Sequence, residues 1–314
     1  MISIEKYYFT KLRKLLLPEL RELKASYFIV FRDILLGFLF ILFALVISSQ
    51  IFVNPNYNLI FKLVTLLLCS TVIGFFIANL TLFIHEAAHY NIHKDKRIND
   101  YLANIFLCYF TFQSINNYRR SHLEHHRNHG TIKDTENSYF NHPSLLFLLK
   151  TIFLYRPIKV AFSKIFVNNK TVNQTLNLYI IYSIAINIII LYLCFLLGGF
   201  FLTASWILGY LSFFPLFASI RQIIEHRNPS NDKFTDYNKN DHGAYTIYFK
   251  NTLFSYFFGA AGFRSHLVHH LEPSISYTRF NDVEKILSQN LPDEYREEFK
   301  LRETTYFKAF LKLI

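Results

Sequence analysis

Residues 85–93 read HEAAHYNIH. His85 and His89 stand one helical turn apart with Glu86 between them, the spacing at which two imidazoles share a metal while a carboxylate works beside it. His93 repeats the step. Further along, RRSHLEHHRNH supplies His122, His125, His126 and His129, RQIIEHR supplies His226, and RSHLVHH supplies His266, His269 and His270. His142 and His242 stand apart in the loop-like stretches NHP and NDHG. On a helix, positions i, i+3 and i+4 share a face, so each cluster is expected to point its rings one way. Glu86, Glu124 and Glu225 adjoin these histidines, either to accept an imidazole N–H and fix its tautomer or simply to stand in solvent.

Nine of these imidazoles, His85, His89, His122, His125, His126, His226, His266, His269 and His270, are expected to converge. Without a metal each would need its own hydrogen-bond partner, and protonation would set them repelling one another. A zinc site closes with four ligands, so nine exceed one ion and suit two, with room for a small molecule. Imidazole serves iron, zinc and copper alike, so ligand type does not name the metal. His93 and His129 are further candidates, as ligands or as groups supporting them.

The elements that must position these residues are membrane spans. The chain has 314 residues, of which 52% are hydrophobic. Uncharged runs cover 34–53, 63–84 and 171–220, the last broken only by Gly198-Gly199 and Pro215. A bilayer core takes about 20 apolar residues per helix, so four spans are expected, at 34–53, 63–84, 176–197 and 200–220. The fold class is therefore all-α: a polytopic membrane protein with a helical cap that carries the histidines. The net charge of +11 falls before residue 34, between 94 and 170, and after 220. By the positive-inside rule those stretches are cytoplasmic, and no nucleic acid is needed to explain them. Residues 1–33 lack a signal peptide and read as an amphipathic surface helix kinked near Pro18. Residues 34–282 form the membrane domain and 283–314 a cytoplasmic tail. The apolar stretches Leu102–Ile115 and Thr252–Phe263 are too short to span, and either dip into the interface or pack internally. Cys69, Cys108 and Cys194 lack metal or redox spacing and read as packing residues.

HEAAH, HLEHH and HLVHH, taken with YRRSHLEHHRNHG, the RQIIEH element and the ending SHLVHHLEPSISYTRF, resemble the three histidine boxes and flanks of the membrane fatty acid desaturase family. The resemblance covers roughly residues 34 to 282. It implies a non-haem di-iron centre that activates O₂ against an unactivated C–H bond. The first box carries His85 and His89 over as ligands, the second His122, His125 and His126, and the third His266, His269 and His270, with His226 completing the set. It implies a double bond placed in a long acyl chain drawn from the bilayer, with hydroxylation or ketone formation on a lipid, alkane or isoprenoid as the alternative on the same scaffold. No CxxC pair, GxGxxG or fused haem domain is present, so a separate ferredoxin- or b-type-cytochrome-like donor is expected to supply electrons. A bacterial inner membrane is the expected location. A remoter alternative, an intramembrane zinc protease using His85, Glu86 and His89, leaves seven clustered histidines without a task.

Overall fold

The computed structural model describes residues 14, 18–20, 22–153, 174–291 and 293–313. The described residues are mostly helical. Helix α1 (Tyr27–Val53) and helix α2 (Leu59–Ala88) run antiparallel. Gly37 faces Leu80, Cys69 Sγ lies 3.7 Å from the Ala44 carbonyl, and Lys62 Nζ donates to the Phe52 carbonyl at 2.9 Å. Both helices extend beyond the uncharged runs. At the start of α2, Asn58 Oδ1 accepts from the Phe61 N–H at 2.9 Å and satisfies an otherwise orphaned donor.

Among the described residues, three helical segments are long and apolar enough to cross a membrane: Tyr27–Val53, Leu59–Ala88 and Leu178–His226. The two later spans expected from sequence both fall within the third of these, on either side of Gly199. The helical run there comprises α6 (Gln174–Leu208), a π turn (Gly209–Phe213) and α7 (Phe214–His226). The 49-residue segment Leu178–His226 would stretch about 74 Å if straight, against about 30 Å of hydrocarbon. It is not straight. Gly199 takes φ 59° and ψ −148°, a conformation almost confined to glycine. Past this break the chain runs back beside itself: Asn187 faces Tyr210, and Cys194 and Ser205 both flank Cys69 of α2.

The outer faces of these helices are apolar. Phe43, Leu68 and Leu196 are 64%, 63% and 60% exposed, a surface matched to hydrocarbon rather than water. Inside, where lipid offers no hydrophobic drive, packing depends on close approach. A Cβ on Gly74 would meet the Gly209 carbonyl at 2.7 Å, so α2 and the π turn touch backbone to backbone.

The shorter elements gather where α2 and α7 end: α3 (Lys96–Phe106), α4 (Ile115–Asn128), α5 (Leu145–Ile152), α9 (His266–Leu271), α10 (Phe280–Asn290), α11 (Asp293–Arg302) and α12 (Tyr306–Leu313), while α8 (Leu253–Phe258) lies further along α2, against Phe75. A two-stranded parallel ribbon, β1 (Tyr248–Phe249) with β2 (Glu303–Thr304), ties the end of the chain to the segment before α8. Of the two short apolar stretches, Leu102–Ile115 is largely internal: Cys108, Tyr109 and Phe110 are buried, and the Phe110 carbonyl accepts from the Tyr210 hydroxyl. Thr252–Phe263 instead leaves Leu253, Phe254, Tyr256 and Phe257 exposed. The amphipathic helix expected over residues 1–33 falls largely outside the described residues.

Candidate metal centre

Four elements deliver the imidazoles. His85 lies in the last turn of α2, and His89 caps that helix through its backbone N–H. Helix α4 starts at Ser114, whose Oγ accepts from the Asn117 N–H at 3.3 Å, and carries His122, His125 and His126, with His129 just past its end. His226 ends α7, and α9 bears His266, His269 and His270.

A single buried cation locks the first two elements together. The Arg119 guanidinium donates to the Ala88 carbonyl at 2.9 Å and the Ala87 carbonyl at 3.1 Å, the last turn of the helix that bears His85 and His89. Its other donors go to Asp100 Oδ2 at 3.0 Å, Asp100 Oδ1 at 2.5 Å and Asn116 Oδ1 at 2.8 Å. The planar fork spans two helix-end carbonyls and one carboxylate, geometry a lysine does not reproduce.

The ring nitrogens fall into one group of five, the first, and two groups of three that share His226 and together make up the second. In the first, His122 Nε2 lies 3.0 Å from His89 Nε2 and 3.0 Å from His126 Nε2, and His126 Nε2 lies 3.1 Å from His269 Nε2. His85 completes this group. In the second, His266 Nε2 lies 3.0 Å from His226 Nε2 and 3.2 Å from His270 Nε2, and His125 and His129 gather at His226. Each cluster on a short helix is divided. His122 and His126 turn to the first group and His125 to the second, while His266 and His270 turn to the second and His269 to the first. The i/i+4 pairs share a stripe as expected, but the third ring of each triplet looks over the neighbouring stripe. One helix thereby serves two sites.

Two carboxylates on the loop after α4 orient the rings. His122 Nδ1 lies 2.9 Å from Glu136 Oε1, and His125 Nδ1 lies 2.8 Å from Asp134 Oδ1. Both acids therefore take the Nδ1 proton, which leaves Nε2 bare on the inner side. Asp134 also accepts from the Glu136 N–H at 2.8 Å, the Gly130 N–H at 3.3 Å and the Tyr139 hydroxyl. The end of α7 fixes this loop: Gln222 Nε2 donates to the Glu136 carbonyl at 2.9 Å, and Arg227 Nη1 to the Tyr139 and Phe140 carbonyls at 3.1 and 2.8 Å.

Burial first, and then the crowding of the rings, holds His89, His126, His129, His266, His269 and His270 well below the ordinary imidazole range. His125 is the exception. Burial disfavours its charged form, but the Asp134 hydrogen bond and the Glu136 and Asp134 charges outweigh that and raise its pKa. Burial likewise works against the Glu136 carboxylate, yet the His122 charge and hydrogen bond keep it well below the usual carboxylate range.

The donor set fits metal ions. A bare His122 Nε2 offers one lone pair to two facing nitrogens, so proton sharing alone cannot satisfy the first group. A cation can. Two imidazole nitrogens each about 2.1 Å from a shared ion lie about 3 Å apart when they subtend roughly a right angle, closer than tetrahedral ligands sit. That spacing recurs through both groups.

The fatty acid desaturase family model matches residues 61–302, more than half of the chain. The chain belongs to the fatty acid desaturase family. No curated protein gives a significant match. In this desaturase-family chain the matched region runs from the first turn of α2 to the end of α11 and takes in both histidine groups and the loop that orients them.

All nine histidines expected to converge stand in the two groups, and His129 joins them. His93 does not: its ring is outside, with Nδ1 accepting from the Asp95 N–H at 3.0 Å and its face toward Tyr27. Glu86 is buried, with Oε1 3.4 Å from His85 Nδ1 and Oε2 accepting weakly from the Tyr277 N–H at 3.4 Å. Glu225 is buried too, but its carboxylate faces Arg221 at 3.6 Å rather than an imidazole. Glu124 is a surface acid paired with Arg127 at 2.6 Å. The acids that do hold imidazoles, Asp134 and Glu136, escaped the sequence reading. Their one signal is DTE in a polar loop shortly after the second box, and loops carry no periodicity to read.

Proposed function

We propose that the chain is an integral-membrane, O₂-dependent oxidase that holds two iron ions and introduces a double bond into a long acyl chain. The observation that supports this best is the pair of converging Nε2 groups, spaced for ions with more than four ligands and set at the ends of apolar helices. His85, His89, His122, His126 and His269 would hold one ion, and His125, His226, His266 and His270 the other, with His129 beside the second. When bound, an iron pair supplies the means to reduce O₂ and to draw hydrogen from an unactivated C–H bond.

The remaining work falls to the chain's own residues. Glu136 and Asp134 hold the Nδ1 protons of His122 and His125, so each Nε2 stays available. Tyr118 stacks on His122 at 5.5 Å, and Phe263 lies on His266 at 4.6 Å and against His85 at 4.7 Å, which walls the nitrogens from water. The exposed apolar surface of the long helices suits entry of a lipid chain from the bilayer. We read the run broken at Gly199 as two spans, which makes four. Both termini and the histidines then lie on the basic, cytoplasmic side of what we take to be a bacterial inner membrane. A separate electron carrier of the ferredoxin or b-type cytochrome kind would supply the electrons, an acidic one docking on the basic cytoplasmic surface.

The test is to express the chain in a host that makes only saturated acyl chains, under isotopically labelled dioxygen, and to profile the lipids by mass spectrometry. An O₂-dependent new double bond without label in the lipid supports desaturation. A labelled hydroxyl or ketone would reassign the chemistry, and unchanged lipids alongside peptide cleavage would overturn it.

A further inference from the structure

Helix α8 lies against the apolar helices rather than beyond them. Phe258 meets Phe75 of α2 at 5.1 Å, and Asn79 Nδ2 donates to the Phe257 carbonyl at 3.3 Å. Phe75 and Asn79 sit inside the uncharged run 63–84, so at 1.5 Å per residue α8 lies about 9–15 Å down α2 from His85. At that depth it leaves Leu253, Phe254, Tyr256 and Phe257 uncovered.

The end of the chain is stacked upon it. Tyr306 of α12 lies face to face on Phe249 at 3.8 Å and reaches Phe258 at 6.2 Å and Phe254 at 6.4 Å. Tyr306 and Ala309 are buried in one cluster with Ile223 and Ile224 of α7 and Phe147 of α5. The opposite side of α12 presents Phe307 and Leu311, 65% and 56% exposed and one turn apart, each followed by an exposed lysine, Lys308 and Lys312. Backbone pairing secures the arrangement, since β2 is bonded to β1 and the Lys250 N–H donates to the Thr304 carbonyl at 2.8 Å.

We propose that α12 is an in-plane anchor that seats the C-terminal segment on the anionic lipid surface around the last apolar helix. Phe307 and Leu311 enter the acyl boundary, and Lys308 and Lys312 reach the phosphates. The apolar pair has no reason to face water, and the helix beneath it already lies at hydrocarbon depth. Lysines bordering an apolar stripe snorkel to headgroups and favour negative ones. The segment expected to be a free cytoplasmic tail becomes part of the membrane-bound body. This anchoring needs no metal and no substrate, so it stands or falls apart from the proposed oxidation.

The experiment uses the full chain in nanodiscs of phosphatidylcholine, with or without phosphatidylglycerol. The native cysteines are buried, so a fluorophore can be placed at Leu311→Cys, at Phe307→Cys as a second variant, and at Lys239→Cys in an exposed loop as a reference. Labels at 307 and 311 are expected to be quenched by a shallow nitroxide lipid and shielded from aqueous iodide, with the reverse at 239. Lys308→Gln with Lys312→Gln should weaken lipid quenching in anionic discs, by about fivefold in partitioning per lysine, and leave neutral discs unchanged. Iodide access at 307 and 311 equal to that at 239 would overturn the anchor. So would shielding from both quenchers, which would indicate a second copy over this face, or indifference of the lysine variant to anionic lipid.

Discussion

In the first histidine group the ring of His122 is held by Glu136, whose side chain keeps 22% of its surface exposed; in the second, His125 is held by Asp134, which has none. Glu136 gives that imidazole a single partner. Asp134 sits at the centre of a closed set of donors from His125, Glu136, Gly130 and the buried Tyr139. The first group draws His85 and His89 from α2 and depends on Arg119 to lock that helix end to α4. The second takes His226 from α7, which also fixes the acid loop through Gln222 and Arg227. One half of the centre is rigid through carboxylate contacts, the other through helix-end capping. A buried, fully satisfied network loses more from a single deletion than a half-open contact does, so the two halves should break differently.

The largest effect expected is from removing imidazoles. His126→Ala should empty the first site and His270→Ala the second, each abolishing new double bonds while leaving about one ion bound at the other site. If either variant loses both ions and unfolds, the two halves are not separable in this way. Next comes the carboxylate pair. Asp134→Asn should cost toward the upper end, and Glu136→Gln toward the lower end, of the roughly 10–100-fold loss in metal affinity typical of groups that orient ligands. Equal losses in a metal titration would erase the contrast between the halves. A smaller effect is expected at Arg119→Lys, which keeps the charge but gives up the fork. It should lower thermal stability and loosen the first site about tenfold while sparing the second.

The smallest effect is one of pH. Six cap histidines have lowered pKa values in the folded state, so the unfolded chain binds more protons than the folded one near the ordinary imidazole pKa. Stability of the metal-free protein should therefore be greatest above about pH 6.5 and fall as the pH drops below it. His125, with its raised pKa, works the other way: its contribution is lost as the pH rises above about 6.5, and it adds nothing to the fall below that. Asp134→Asn removes the partner that raises it, so that variant should show the steeper fall in melting temperature. A slope unaltered by the substitution would contradict the Asp134–His125 assignment.

The parts of this picture that rest on periodicity were legible in the sequence. Uncharged runs marked the apolar helices to within a turn or two, and the spacing of His85/His89, His122/His126 and His266/His270 announced shared helical stripes. That His125 and His269 look to the opposite group was not legible, because spacing gives a ring's direction only relative to its own helix. Gly198-Gly199 read as a turn in the sequence, and Gly199 is where the chain leaves helical geometry and runs back beside itself. Asp134, Glu136 and Arg119 were missed because loop and capping contacts depend on partners distant in sequence, such as Ala87 and Ala88 for Arg119. Glu86 and Glu225 drew notice by adjacency alone, which says nothing of where a carboxylate turns.

Two ions held by nine converging imidazoles, with His129 beside the second, make a definite prediction of metal stoichiometry. The full chain, purified in lipid and loaded anaerobically with ferrous iron, should bind two irons per chain by elemental analysis, and one in His126→Ala or His270→Ala. A single zinc per chain, or iron content indifferent to both substitutions, would contradict it.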